Sequence, residues 1–193
     1  MDKVEKGILI VVSAPSGTGK STILHRLMEL RENLRFSVSA TTRRPREGET
    51  HGEDYFFVTE DEFLSMIDAG EFLEHAVFVG NRYGTPRAAV EARLEQGYDV
   101  YLDIDVQGAM QVKRQRPETL MIFVMPPSLE ELERRLISRG KDDLETIRRR
   151  LSEAERECAM RDQFDFVVVN DDVERVAAEI SGIIDGAKQR VNS

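Results

Sequence analysis

Residues 14–21 read Ala14-Pro15-Ser16-Gly17-Thr18-Gly19-Lys20-Ser21, with a short apolar run at 8–12 leading into them and an amphipathic run at 22–30 leading out. That order of strand, glycine-rich turn and helix is how a chain builds a phosphate-binding loop. Backbone N–H groups of residues 16–20 then converge on an anion-sized hollow, the positive end of the following helix dipole faces it, and the Lys20 ammonium reaches the outer phosphates. The Ser21 hydroxyl is placed to ligate Mg²⁺. The usual first glycine of the pattern is here Ala14, so the backbone at that position must accept a methyl group and keep a negative φ. A nucleoside triphosphate with Mg²⁺ is the ligand these eight residues predict.

Further along, apolar runs of strand length recur at 100–104, 120–125 and 166–169, each followed by a helical pattern. Such alternation predicts an α/β fold of the P-loop NTPase type, a parallel sheet with helices on both faces. The run Leu102-Asp103-Ile104-Asp105 closes one strand with two acids, and carboxyl ends of parallel strands are where ligands bind in this architecture. Strand periodicity puts Asp103 and Asp105 on the same side. One of them is expected to hold Mg²⁺, directly or through water, while the other contacts substrate or orients a partner.

Two stretches stand outside the alternation. Residues 37–86 contain short strand-like pieces, Tyr55-Phe56-Phe57-Val58 and Ala76-Val77-Phe78-Val79, and read as an inserted β-rich lobe. In residues 126–160, Pro126-Pro127-Ser128 opens a helix that runs through Arg139, Gly140 ends it, and a second charged helix carries Arg148, Arg149 and Arg150. So polar a hairpin is expected to bury little and to move as a lid beside the phosphate loop. The expected division is a core of residues 1–36, 87–125 and 161–193, an insert at 37–86 that binds a nucleoside monophosphate, and a helical lid at 126–160.

Composition limits the alternatives. With 193 residues, 40% hydrophobic and 33% charged, the chain suits one globular core carrying insertions. A net charge of −9 argues against a nucleic-acid binder working through a general basic surface. Of the 27 cations, 21 are arginine and 6 lysine, and the planar guanidinium fork matches phosphate oxygens bidentately, which suits small phosphorylated substrates. Cys158 is the only cysteine, which excludes an internal disulfide and fits a reducing compartment. His25, His51 and His75 lie far apart without ligand spacing, so no structural zinc is expected. Residues 1–7 are charged and the apolar run behind them is short, so neither a secretion signal nor a membrane span is expected. The expectation is a soluble cytoplasmic protein with no nucleic acid, no membrane and no obligatory protein among its partners.

The insert carries the substrate logic. It begins Ser39-Ala40-Thr41-Thr42-Arg43-Arg44-Pro45-Arg46 and continues through Gly48-Glu49 and Gly52-Glu53-Asp54-Tyr55. Arg43 and Arg46 can clamp a phosphate dianion, with the hydroxyls of Tyr55 and Tyr83 as further donors. Glu74 and Thr85 are the candidates for base recognition. Guanine offers N1–H and N2–H₂ donors on one edge with an O6 acceptor beside them, which matches a carboxylate plus a hydroxyl from Ser39 or Thr85, whereas adenine has no such donor pair.

Taken together, the 14–21 loop, the 37–46 run Ser-Val-Ser-Ala-Thr-Thr-Arg-Arg-Pro-Arg, Gly52-Glu53-Asp54-Tyr55, the 102–108 run Leu-Asp-Ile-Asp-Val-Gln-Gly and Val169-Asn170-Asp171-Asp172 resemble the guanylate kinases, in one order along nearly the whole chain. The resemblance implies ATP-dependent conversion of GMP, and of dGMP, into the diphosphate. It implies GMP contacts at Ser39, Arg43, Arg46, Tyr55, Glu74, Tyr83 and Thr85, with Asp103 and Asp105 at the same substrate. ATP is implied along Ser13, Ala14, Pro15, Ser16, Gly17, Thr18, Gly19, Lys20, Ser21 and Thr22, with Arg135 and Asn170 beside the adenine. Arg139 and Arg150 are implied to reach the phosphates when the lid closes, forming with Lys20, Arg43 and Arg46 the catalytic set. Ser21 and Asp103 are the implied Mg²⁺ ligands, and whether Asp103 or Asp105 meets the ion first stays open. A kinase for UMP, CMP or dTMP would share loop, clamp and lid, but Glu74 beside Ser39 and Thr85 argues against it. Scaffold domains of this fold tend to lose the loop lysine and the lid arginines, and here Lys20, Ser21, Arg139 and Arg150 are all present.

Overall fold

Leu9–Ser13 has every side chain buried and forms β1. A continuous apolar run this short can be satisfied only as a strand covered on both faces. It feeds, through the glycine-rich turn, α1 (Lys20–Leu30), which turns Ile23, Leu24 and Leu27 inward. There follow β2 (Leu34–Phe36), β3 (Ala40–Thr41), β4 (Phe56–Phe57), α2 (Glu60–Asp68), β5 (Phe72–Phe78), β6 (Asn81–Pro86), α3 (Arg87–Glu95), β7 (Asp99–Asp103) and α4 (Val106–Gln115). The chain continues with β8 (Leu120–Met125), α5 (Leu129–Ser138), α6 (Leu144–Ala159), a 3₁₀ turn (Arg161–Gln163), β9 (Phe166–Val169) and α7 (Val173–Val191). The computed structural model describes residues 5–138, 140 and 143–191. One five-stranded sheet runs in the order β2-β7-β1-β8-β9 and a four-stranded sheet in the order β4-β3-β6-β5.

The chain divides into two compact units, the first comprising residues up to Ile10, Asn33–Asp103 and Gln107–Thr119, the second Val11–Glu32, Ile104–Val106 and the residues from Leu120 onward. In the first unit, β2 lies parallel to β7 with Leu34 opposite Asp99. Asp99 is fully buried and serves as a strut: its two oxygens accept from the Ile8 N–H at 3.1 Å and the Asn33 amide at 2.9 Å. The four-stranded sheet joins β3 parallel to β4 and antiparallel to β6, with β5 and β6 as a hairpin. Its turn is Val79-Gly80, at φ 48° and 75°, and Val79 is the one described non-glycine residue at positive φ.

The insert is less purely β than its sequence suggested, because α2 lies within it. Thr59 and Glu62 form a capping box at its start. Its Phe63 stacks on Phe72 at 4.5 Å, and Met66 and Ile67, three and four residues on, pack, as do Phe56 and Val58, against the buried cluster of Ala40, Phe63 and Phe72. β5 also begins at Phe72, four residues ahead of the expected piece at 76–79, and β4 is only Phe56–Phe57 of the expected 55–58. The edge strand β2 was not anticipated. It is three residues long and only Leu34 in it is buried, so it carries no periodic signal. β1 and β7 stand one residue away from the expected 8–12 and 100–104, while β8 and β9 occupy the expected 120–125 and 166–169.

In the second unit α1 packs on α7. Arg26 Nε donates to Glu174 at 2.8 Å, and Arg31 Nη1 donates to Ser181 Oγ and Asp185 Oδ1, both at 2.9 Å. β8 and β9 are parallel, with Ile122 opposite Phe166. The α5–α6 hairpin corrects the expectation that it would bury little. Leu132, Leu136, Ile147 and Ala154 form a buried cluster with Leu129 and Leu151 against it. The apolar residues of each helix recur at spacings of three and four, so one narrow stripe per helix meets the other and the many charges occupy the remaining faces. Ser128 Oγ accepts the Glu131 N–H at the start of α5, and Gly140, at φ 60°, lies just past its end. Arg139 lies outside the described residues.

Candidate active site

The phosphate loop is built by glycine geometry. Gly17 and Gly19 sit at φ 93° and 96°, a region that side chains rarely tolerate. Each is also boxed in: a Cβ on Gly17 would stand 2.9 Å from Leu136 Cδ2 and 3.0 Å from Leu132 Cδ1, and one on Gly19 would stand 2.8 Å from the Asn170 amide nitrogen. The Thr18 N–H donates to the Pro15 carbonyl at 3.1 Å, closing the turn, and α1 starts at Lys20 with its first turn bonded to the Gly19 carbonyl. Ala14 is buried and keeps φ out of the positive region, so its methyl group is accommodated. Ser16 is exposed, and Ser21 and Thr22 open the helix on its solvent side. The Lys20 ammonium donates to the Ile104 carbonyl at 3.4 Å, which places it beside the short segment containing Asp105.

Two residues expected near a base also brace the loop itself. The Asn170 side chain is buried and its amide donates to the Thr18 carbonyl at 2.6 Å. Arg135 Nη1 donates to the same carbonyl at 3.2 Å, Nη2 to the Asn170 carbonyl at 3.4 Å and Nε to Glu131 at 2.9 Å. The two also line an open cleft with Gly17, Gly19, Thr22 and Val173, which gives a base or ribose room above the loop. The hydroxyls of Ser13 and Thr18 are buried without a hydrogen-bond partner among the described residues.

Glu157, on α6, is an acid of this unit that sequence reasoning missed. Burial first, then the negative charge of Asp105 and of Glu153, push its carboxyl up to about 7, while Lys20 pulls the other way. Nothing in a charged run such as 153–157 singles out one acid, because the signal is spatial. Arg150 is half-buried on the same helix, and Asp105 is exposed.

The first unit assembles the residues expected around a monophosphate. Glu74 stands opposite Thr85 across the β5–β6 ladder, and the Thr85 hydroxyl donates to Glu74 Oε1 at 2.6 Å with both residues buried. Tyr83 lies two residues before Thr85, on the same sheet face, with its ring 6.0 Å from that of Tyr55. The Arg43 guanidinium lies 5.3 Å from the Tyr55 ring centre and donates through Nη1 and Nη2 to the two oxygens of Glu49 at 2.9 and 2.8 Å. Glu49 also accepts the Arg46 N–H at 2.7 Å while the Arg46 side chain is exposed. The bonds from Arg43 and then Arg46 hold the Glu49 carboxyl below its ordinary range. Glu49 carries no role in the sequence motif, although an acid six residues from one arginine and three from another is a local signal for a closed turn. Ser39 is half-buried just ahead of β3, and its carbonyl accepts the Phe56 N–H at 2.9 Å. Asp103 ends β7 with its side chain exposed.

A glycine-rich turn between a buried strand and a helix that opens with lysine and serine, set in a parallel sheet, defines a P-loop nucleotide-binding protein. Comparison with known proteins narrows this. The guanylate kinase family model matches residues 6–187. The chain is 48% identical over 189 residues to a guanylate kinase of Clostridioides difficile (strain 630), covering 98% of this chain and 92% of that protein. It is 47% identical over 188 residues to one of Lactococcus lactis subsp. lactis (strain IL1403), covering 97% and 92%. The crystal structure of guanylate kinase from Anaplasma phagocytophilum superposes with a TM-score of 0.72 at 39% identity, covering 94% of this chain and 86% of that one. The chain belongs to the guanylate kinase family. Among the described residues no helix is long and apolar enough to cross a membrane.

Proposed function

We propose that the chain carries out the reaction its family is named for, transfer of the γ-phosphoryl group of ATP to GMP, giving ADP and GDP, and that it accepts dGMP as well. The observation that carries the choice of acceptor is the buried Glu74 carboxylate with the Thr85 hydroxyl 2.6 Å away. A buried carboxylate is costly unless it meets donors, and the N1–H and N2–H₂ groups of guanine are donors on a single edge. Arg43, Arg46, Tyr55 and Tyr83 take the monophosphate, and Ser39 adds a hydroxyl to the base site. Asp103 and Asp105 serve the same substrate end.

In the second unit residues 13–22 cradle the triphosphate, Lys20 neutralises its outer oxygens, and Arg135 and Asn170 border the adenine. The donors available for Mg²⁺ are the Ser21 hydroxyl and the carboxylates of Asp103 and Asp105, all hard oxygens suited to that ion. When bound, Mg²⁺ supplies charge neutralisation at the phosphoryl oxygens.

The acceptor phosphate is already ionised near neutral pH, so no strong general base is required and transfer is direct and in line. Catalysis then lies in positioning and in charge: Lys20, Arg43, Arg46, Arg139 and Arg150 neutralise oxygens whose charge spreads in the transition state. Residues 126–160 act as the lid that brings Arg139 and Arg150 to the phosphates and keeps water from ATP. The reading is tested by ADP formation from MgATP with GMP, dGMP, AMP, UMP, CMP and dTMP offered separately. GMP-dependent turnover abolished by Lys20→Ala supports it. Turnover with a pyrimidine nucleotide overturns the guanine assignment, and folded protein inert with every acceptor overturns the enzyme.

A further inference from the structure

β5 is an edge strand: β6 pairs with one side of it and, among the described residues, no strand pairs with the other. That other side is met by two glutamines of α4. Gln111 Oε1 accepts the His75 N–H at 3.1 Å and Gln111 Nε2 donates to the His75 carbonyl at 3.1 Å, so a single side chain takes both backbone groups as a neighbouring strand would. Gln115 Nε2 donates to the Leu73 carbonyl at 2.9 Å. Gln111 and Gln115 are four apart and therefore share one face of the helix. The residue bracketed by their partners is Glu74.

The position of Leu73 gives this bracket its force. The β5–β6 register runs from Phe72 opposite Pro86 to Glu74 opposite Thr85, so two steps on β5 match one on β6 and Leu73 is the extra residue of a bulge. A bulge leaves the extra residue out of the ladder and re-aims the next side chain. Leu73 is completely buried, so its carbonyl needs another donor, and Gln115 provides one. The Gln115 carbonyl in turn accepts from Arg87 Nη2, at the start of α3, which orients the amide.

We infer that Gln111 and Gln115 are positioning residues for base recognition: by fixing the backbone on either side of Glu74, α4 sets where the guanine-reading carboxylate stands. This rests on the assignment of Glu74 to guanine. Neither glutamine touches the base. Their effect is carried by the bulge, which without Gln115 loses the partner of a buried carbonyl and can relax into regular pairing that turns Glu74 away.

The test compares Gln111→Ala, Gln115→Ala and the double variant with wild type and with Glu74→Gln, measuring KM and kcat for GMP and IMP and KM for ATP. IMP lacks the 2-amino group, so its ratio to GMP reads the carboxylate contact directly. Each single variant is expected to raise KM for GMP about 3–10-fold and the double variant about 30-fold, with kcat within threefold, KM for ATP unchanged and the preference for GMP over IMP reduced in step. Gln111→Met keeps the stem of the side chain without its hydrogen bonds, and it should match Gln111→Ala if the bonds rather than the packing matter. An unchanged GMP/IMP ratio in the double variant, while Glu74→Gln collapses it, overturns the inference and leaves the role of Glu74 standing. A Glu74→Gln variant that keeps the wild-type ratio overturns the guanine assignment itself. An equal rise in KM for ATP also overturns the inference, since it reports general loosening.

Discussion

Arg43 and Glu49 face each other fork to fork, at 2.8 and 2.9 Å, and the same carboxylate closes the turn by accepting the Arg46 N–H. The guanidinium proposed to clamp a phosphate is therefore aimed by an acid already bound to it. Losing that acid removes a competitor for the cation but also two charge-assisted bonds that set the arginine's direction, and the orienting effect is the larger where recognition is bidentate. Glu49→Gln is expected to raise KM for GMP about tenfold with KM for ATP unchanged, as steady-state kinetics with each substrate varied will show. A lowered KM for GMP would mean that Glu49 acts chiefly as a competitor.

The same pair has a signature in pH. The Glu49 carboxyl is held below its ordinary range by Arg43 and then by the Arg46 N–H. Its contribution is therefore present above the ordinary carboxylate pKa and is lost as pH falls through the depressed value. Thermal unfolding from pH 7 to pH 3 should show Glu49→Gln losing less stability on acidification than wild type. Parallel curves would remove the pair from the acid response.

Glu157 has the opposite sign. Its carboxyl is raised to about 7 by burial and by Asp105, so the favourable state is the protonated one, complete below the unfolded value near 4.5 and lost as pH rises through 7. In metal-free protein, Glu157→Gln should stabilise the fold by about 1–2 kcal/mol at pH 8, after allowance for solvent screening, and by little at pH 4. Denaturant melts at the two pH values decide the matter, and equal gains at both would show that the effect is not electrostatic.

Asn170 gives a prediction that separates two roles. If its 2.6 Å bond to the Thr18 carbonyl steadies the phosphate loop, Asn170→Ala should weaken binding of tripolyphosphate, which has no base, by about the same factor as ATP, roughly tenfold. Calorimetric titration of both ligands checks this. Loss confined to ATP would assign the side chain to the adenine instead.

Gly17→Ala tests the contact between the loop and α5. The new methyl meets Leu136 Cδ2 at 2.9 Å in a backbone at φ 93°, and the change should cost about 1–3 kcal/mol of stability together with ATP affinity. Adding Leu136→Ala should relieve the clash but not the φ strain, so the double variant is expected to recover ATP affinity only in part.

What the sequence disclosed depended on the range of each signal. β1, β8 and β9 are continuous apolar runs, and the phosphate loop is local chemistry at fixed spacing, so they were legible to within a residue. β2 is three residues with one buried side chain, and its place beside β7 is set by a partner more than sixty residues away, so no local pattern marks it. The buried stripe between α5 and α6 was present as Leu132, Leu136, Ile147 and Ala154, but the charge around it masked it. In the candidate site, the carboxylate of Glu74 and the hydroxyl of Thr85 could be picked out by side-chain type, and the structure bonds the two directly. The Leu73 bulge and the glutamines that satisfy it were not, because a bulge is a property of two paired strands and leaves no mark on either alone.

The amides of Gln111 and Gln115 also have a consequence for solubility. An unpaired edge strand is a template on which another chain can add by backbone pairing. By occupying Leu73 and His75, α4 leaves no continuous row of backbone groups along the inner half of β5, and the outer half ends in the left-handed Val79-Gly80 turn, which breaks the flat geometry such pairing needs. Val77, Phe78 and Val79 can thus stay 63–80% exposed on a sheet edge without that edge becoming a seed for aggregation.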